Sequence, residues 1–192
     1  MNIPNRITLS RIMLIPIFIL FLSLPYDWGT VSLGEVSIPL THLIATIIFI
    51  VASATDWIDG HYARKHNLVT NLGKFLDPMA DKLLVSAAFI LLVAMDAAAA
   101  WIVIIIISRE FAVTGLRLVA AGEGLVLAAG SMGKLKTVLQ IAAIILLLLQ
   151  NFPFNFIGIP VDTIVLYLAM IVTVVSGYDY FAKNWHVMEE SK

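Results

Sequence analysis

Apolar residues in this chain run in long, nearly unbroken blocks. Six such stretches stand out, at about 7–24, 39–57, 76–95, 97–118, 136–152 and 161–182. Each is close to the ~20 residues that a helix needs to cross the hydrocarbon layer of a bilayer. Strands would alternate polar and apolar positions, but Ile47-Ile48-Phe49-Ile50-Val51 and Leu146-Leu147-Leu148-Leu149 are continuous, and a spanning segment must satisfy its own backbone. The pattern predicts an all-α integral membrane fold of six transmembrane helices in one domain over 1–192. Residues 3–11 read as a short N-terminal interfacial helix, with Ile3 and Ile7 inward and Arg6 toward headgroups. The first stretch does not read as a cleaved signal, because Ser23-Leu24-Pro25-Tyr26 offers no small-residue cleavage site.

Composition agrees with a bilayer as solvent. The chain is 60% hydrophobic and 13% charged, against about a quarter charged in ordinary soluble domains. It has no cysteine, which excludes disulfides, thiolate metal sites and a cysteine nucleophile. His42, His61, His66 and His186 are scattered and give little support to a histidine metal site. Trp28, Trp101 and Trp185 fall near span ends, where tryptophan anchors at interfaces.

Charge sets the orientation. Arg6, Arg11, Arg64, Lys65, Lys74, Lys82, Arg109, Arg117, Lys134, Lys136, Lys183 and Lys192 all fall on or toward one side of the predicted spans. The opposite connections, 25–38, 95–99 and 151–160, contain no Lys or Arg. Basic residues stay on the cytoplasmic side, so a multi-pass cell-membrane protein with both termini inside is expected.

Acidic residues carry the candidate chemistry. Asp56 and Asp59 are three apart, Asp77 and Asp81 four apart, so on helices each pair presents two carboxylates from one face. Single pairs of this kind are commonly solvated helix ends. Two pairs at the ends of consecutive spans are different, because four close carboxylates repel unless cations sit between them. Asp81 lies about 15 residues, or ~22 Å, from the outer end of its span, and Asp56 about 18 residues, or ~27 Å. Ionisable groups at such depth line cavities and serve function. All-oxygen ligands suit Mg2+, Mn2+ or Ca2+, and Mg2+ commonly binds a few carboxylates together with substrate phosphates. Gly60 and Ala63, beside the first pair, allow close approach of a ligand or of another helix.

These residues resemble a known family. Asp56-x-x-Asp59-Gly60-x-x-Ala63-Arg64, eight residues, then Gly73-x-x-x-Asp77-x-x-x-Asp81 is similar to the full signature of the CDP-alcohol phosphotransferases. The opening Asn2-Ile3-Pro4-Asn5-Arg6-Ile7-Thr8-Leu9-Ser10-Arg11 resembles that of the family's phosphatidylglycerophosphate synthases. So do Ser108-Arg109-Glu110-Phe111, Gly115-Leu116-Arg117 and Gly133-Lys134-Leu135-Lys136-Thr137. The likeness runs to about Gln140; the last span matches in hydropathy only.

The resemblance implies a transferase of phospholipid biosynthesis with CDP-diacylglycerol as donor. It implies that Asp56, Asp59 and Asp77 hold two divalent cations, Mg2+ or Mn2+, with Asp81 completing the site and acting as general base. Gly60, Ala63 and Gly73 would belong to the donor site, with Arg64 near the diphosphate. A homodimer among membrane lipids is expected on the same ground, and no nucleic-acid partner.

Acceptor choice rests on other residues. Arg109 sits about 12 residues, or ~18 Å, into the fourth predicted span, where a lipid-facing charge costs several kcal/mol and a partner is needed. Glu110 is one candidate partner. Alternatively Arg109, Arg117, Lys134 and Lys136 together clamp a phosphate. A phosphorylated alcohol is then the expected acceptor; charge alone leaves inositol phosphate open, and the local resemblance favours glycerol 3-phosphate. A membrane prenyltransferase would share the aspartates and diphosphate but lacks the Gly60, Ala63, Arg64 and Gly73 pattern. A small ion transporter would explain buried carboxylates but not the signature.

Overall fold

A computed structural model describes residues 3–24, 28–34, 36–65, 71–122, 125, 127 and 130–185, with side chains for all of these except 3–8, 33, 56–65, 71–78 and 81. Among the described residues the order is α1 (Ile3–Ser23), β1 (Thr30–Leu33), β2 (Val36–Pro39), α2 (Leu40–Lys65), α3 (Asn71–Ala94), α4 (Ala100–Gly122), α5 (Ser131–Leu148), a 3-10 helix (Phe154–Ile157) and α6 (Val161–Lys183). Each expected span has its helix. Helices α5 and α6 are long and apolar enough throughout to cross a membrane, and Leu9–Ser23, Leu40–Thr55 and Lys82–Ala94 are shorter apolar parts of α1, α2 and α3.

Two expectations change. Residues 3–11 are not a separate interfacial helix, because α1 continues without a break from Ile3 to Ser23. The fold is also not wholly α. The connection between α1 and α2 contains an antiparallel hairpin pairing Thr30 with Pro39, Val31 with Ile38, Ser32 with Ser37 and Leu33 with Val36. Its turn uses Gly34 at φ +69°, where a Cβ would also stand 2.6 Å from the Phe156 ring. The hairpin therefore abuts the 3-10 helix between α5 and α6, and Ile38 of its second strand is fully buried.

Packing follows from small residues on inward faces. Ala45, Ala52, Ala80, Ala88, Ala143 and Ala169 are inaccessible, letting helix backbones approach closely, which is how helices associate when lipid is as apolar as their side chains. Phe18, Phe49, Phe89, Leu92, Ile106 and Ile144 fill the space between them. Helix α1 packs on α2 and α3, and α6 on α4 and α5. The outward faces remain apolar: Ile47, Ile50 and Val51 on α2, Ile104 and Leu118 on α4, and Ile171, Val174 and Val175 on α6 are all exposed. So much exposed apolar surface is a liability in water and the normal condition in lipid.

Candidate active site

The acidic signature occupies two consecutive helices. Asp56, Asp59, Gly60, Ala63 and Arg64 lie in the last third of α2, and Gly73, Asp77 and Asp81 in the first half of α3. Helical backbone runs through both segments, so the i, i+3 and i, i+4 spacings place each carboxylate pair on one helix face. The two helices touch and are joined by five residues, so the four acids flank one connection. Their side chains fall outside those described. As a donor set, four carboxylates suit hard divalent cations such as Mg2+ or Mn2+.

The basic residues lie one layer away, on α4 and α5. Arg109 stands nine residues into the observed α4, about 14 Å along it, and its side chain is 11% exposed. Its Nη2 donates to Ser176 Oγ at 2.7 Å, and its Nη1 to Glu110 Oε1 at 3.4 Å. The same carboxylate oxygen accepts from Lys136 Nζ. Lys136, on the first turns of α5, is buried. Glu110 is thus an acid shared by two cations rather than the partner of Arg109 alone. Further along α4, Arg117 Nε donates to Tyr180 Oη at 2.9 Å, and its guanidinium lies 5.1 Å from the centre of that ring, within cation–π range. Arg117 and Lys134 are both exposed.

A small cavity lies between α3, α4 and α5. It encloses about 20 Å³, room for one water, and is lined by Lys82 and Ser86 of α3, Glu110 of α4, and Lys136, Thr137 and Gln140 of α5. Lys82 follows Asp81 in sequence, so this cavity puts the helix carrying the second acidic pair against the basic cluster. A larger groove of about 270 Å³ between α3 and α4 is walled by Ile90, Val93, Val103, Ile104 and Ile107. It offers a charged substrate almost nothing to bind.

Helix α6 is the contributor that sequence reasoning overlooks. Thr173, Ser176 and Tyr180 form a polar stripe on an otherwise apolar helix, and all three are buried. Gln140 Nε2 donates to Thr173 Oγ1 at 3.1 Å, which adds a lower tier to the network between α5 and α6. The signal was available, since polar side chains within a spanning helix face the protein interior. Arg11, which the charge pattern uses only for orientation, is also buried, at 1% exposure.

Comparison with known proteins identifies the family of the chain. The family model described as CDP-alcohol phosphatidyltransferase matches residues 1–175, which takes in the signature and most of α6. A Bacillus subtilis (strain 168) protein is 60% identical over 190 residues, covering 99% of this chain and 98% of its own length. One from Rickettsia bellii is 37% identical over 94% of this chain and 93% of its own. One from Pseudomonas fluorescens is 40% identical over 81% and 76%. All three relatives carry the name CDP-diacylglycerol–glycerol-3-phosphate 3-phosphatidyltransferase.

Proposed function

Because the chain belongs to the CDP-alcohol phosphatidyltransferase family, we propose that it transfers the phosphatidyl group of CDP-diacylglycerol to glycerol 3-phosphate, yielding phosphatidylglycerol phosphate and CMP. The observation that carries this reading is the complete acidic signature on two touching helices, set against a second, basic site on α4 and α5. Two anionic substrates need two such sites. Neither a prenyltransferase nor an ion transporter accounts for the second.

In this mechanism Asp56, Asp59 and Asp77 would hold two divalent cations, Mg2+ or Mn2+, with Asp81 completing the set. When bound, these supply neutralisation of the donor diphosphate and of the departing CMP. Gly60 and Ala63 present no bulk toward the cytidine, Arg64 sits near the diphosphate, and Gly73 allows close approach on the α3 side. Arg109, Arg117, Lys134 and Lys136 hold the acceptor's phosphate, the guanidiniums through paired hydrogen bonds. A hydroxyl oxygen of the acceptor attacks the phosphatidyl phosphorus, and its proton passes to Asp81 as general base. The bond from that phosphorus to the bridging oxygen breaks, and CMP leaves with the bridging oxygen and the electron pair.

All six helices cross the membrane in this account, with the acidic and basic sites and both termini on the cytoplasmic side. The one-sided distribution of Lys and Arg supports that orientation. A homodimer embedded among membrane lipids is the expected assembly on family grounds alone. The test is CMP release by purified protein from CDP-diacylglycerol with an acceptor panel. Release that requires glycerol 3-phosphate and a divalent cation is expected. Release with inositol phosphate but not glycerol 3-phosphate would reassign the acceptor, and no release with any acceptor would remove the activity.

A further inference from the structure

The contact between α4 and α6 has an unusual feature at its centre. Gly177 is buried in the second half of α6, within a helix interior where glycine is the poorest ordinary helix former. A Cβ built there would stand 2.9 Å from Arg109 Cγ and 3.3 Å from its Nε. Carbon pairs prefer about 3.5–4.0 Å, so even one methyl group would push the arginine stem by about half an ångström or more. The stem, unlike the tip, cannot swing clear without moving the whole guanidinium. The neighbouring Ser176 accepts from Nη2 at 2.7 Å, so the same turn that makes room for the stem also fixes the head. Glu110 holds Nη1 from the other side.

Arg109 Nε has no hydrogen-bond partner among the described residues although it is buried. Buried donors are nearly always satisfied, and one that is not calls for an explanation such as a water, an ion or a role in the site. A side chain fixed at two points, with one donor left over, is better suited to meeting a ligand than to holding the fold.

We propose that the Ser176–Gly177 step of α6 is a notch that positions Arg109 for the acceptor's phosphate, so that both are positioning residues for the transfer. This rests on the reading of Arg109 as an acceptor-phosphate ligand and adds to it the element that aims it. Nothing in the α6 sequence resembles the family signature; the assignment comes from the fit of arginine stem to missing side chain.

Kinetics of Gly177→Ala, Arg109→Ala and the double variant test it, with each substrate titrated separately. Displacements near an ångström can cost about 100-fold, so Gly177→Ala is expected to raise KM for glycerol 3-phosphate about tenfold. KM for CDP-diacylglycerol should stay as in the parent protein. Helix propensity favours Gly→Ala and crowding of the stem opposes it, so thermal stability should change little. In the Arg109→Ala background the same change should cost nothing, since no stem remains to be pushed. Equal losses in both backgrounds, or an unchanged KM for Gly177→Ala while Arg109→Ala raises it, would overturn the notch and leave the acceptor site standing. An unchanged KM for Arg109→Ala itself would overturn both. Should Gly177→Ala not fold, Ser176→Ala adds no bulk and should still raise the same KM several-fold; an unchanged value there also overturns the proposal.

Discussion

Glu110 holds two cations with one carboxylate, and that stoichiometry predicts an order of stabilities. The side chains of Lys136, Arg109 and Glu110 are 9%, 11% and 17% exposed, so all three are largely desolvated. Replacing Glu110 by Gln removes the one carboxylate that Arg109 and Lys136 share. Replacing Lys136 by Met leaves the Arg109–Glu110 pair intact and neutral. Removing one member of a buried ion pair costs about 3–5 kcal/mol, most of it from the charge left behind. The Gln side chain can still accept one hydrogen bond, which puts Glu110→Gln at the low end, about 3 kcal/mol. For a protein of this length, 1 kcal/mol corresponds to roughly 2–4 °C in Tm, so a fall of about 6–12 °C is expected. Lys136→Met should lose less than half of that. The double variant Glu110→Gln, Lys136→Met should recover part of the loss, because only Arg109 then lacks its acid. The chain's four tryptophans allow unfolding to be followed by intrinsic fluorescence in detergent at one fixed scan rate. A Lys136→Met loss equal to or larger than that of Glu110→Gln would refute the shared-carboxylate reasoning.

Other consequences are separately measurable. Asp56→Asn, Asp59→Asn and Asp77→Asn should each abolish turnover while the detergent-solubilised protein stays folded by fluorescence, whereas Asp81→Asn should lower kcat by roughly 100- to 10,000-fold, the usual worth of general-base catalysis. Tyr180→Phe keeps the ring beside Arg117 but removes the hydroxyl at 2.9 Å; KM for glycerol 3-phosphate should rise about tenfold, as for a lost hydrogen bond to a charged group, with the donor's KM unchanged. A single cysteine at Lys183, in a chain that has none of its own, should be shielded from impermeant thiol reagents in intact cells and react after permeabilisation.

The helices and their order were legible because a bilayer imposes a coarse rule: long apolar runs must be helices. The hairpin was less legible, though its signal was present. Thr30–Leu33 and Val36–Pro39 are short β-favouring runs either side of Gly34 and residue 35, a two-residue turn with glycine first. Span counting treated that connection only as a gap without basic residues. The acidic signature could be read from spacing because carboxylates three and four apart on a helix fall on one face. The basic cluster could be named but not its internal wiring. Glu110 was weighed as partner to Arg109 alone, and only folding shows that it also reaches Lys136, 26 positions away. That Ser176 and Tyr180 face inward was legible, but their partners, and that of Gly177, were out of reach for the same reason. Their partners lie 63 to 68 positions back on α4, and a helix–helix register is set by side-chain fit that no periodicity encodes.

The most direct test of the central claim is the fate of glycerol 3-phosphate itself. Purified protein is incubated with CDP-diacylglycerol, Mg2+ and phosphate-labelled glycerol 3-phosphate, and label is followed into the solvent-extractable lipid. Label should enter lipid in step with CMP release, require both the donor and the cation, and vanish in Asp59→Asn. CMP release with no label in the lipid, or incorporation that persists in Asp59→Asn, would contradict the account.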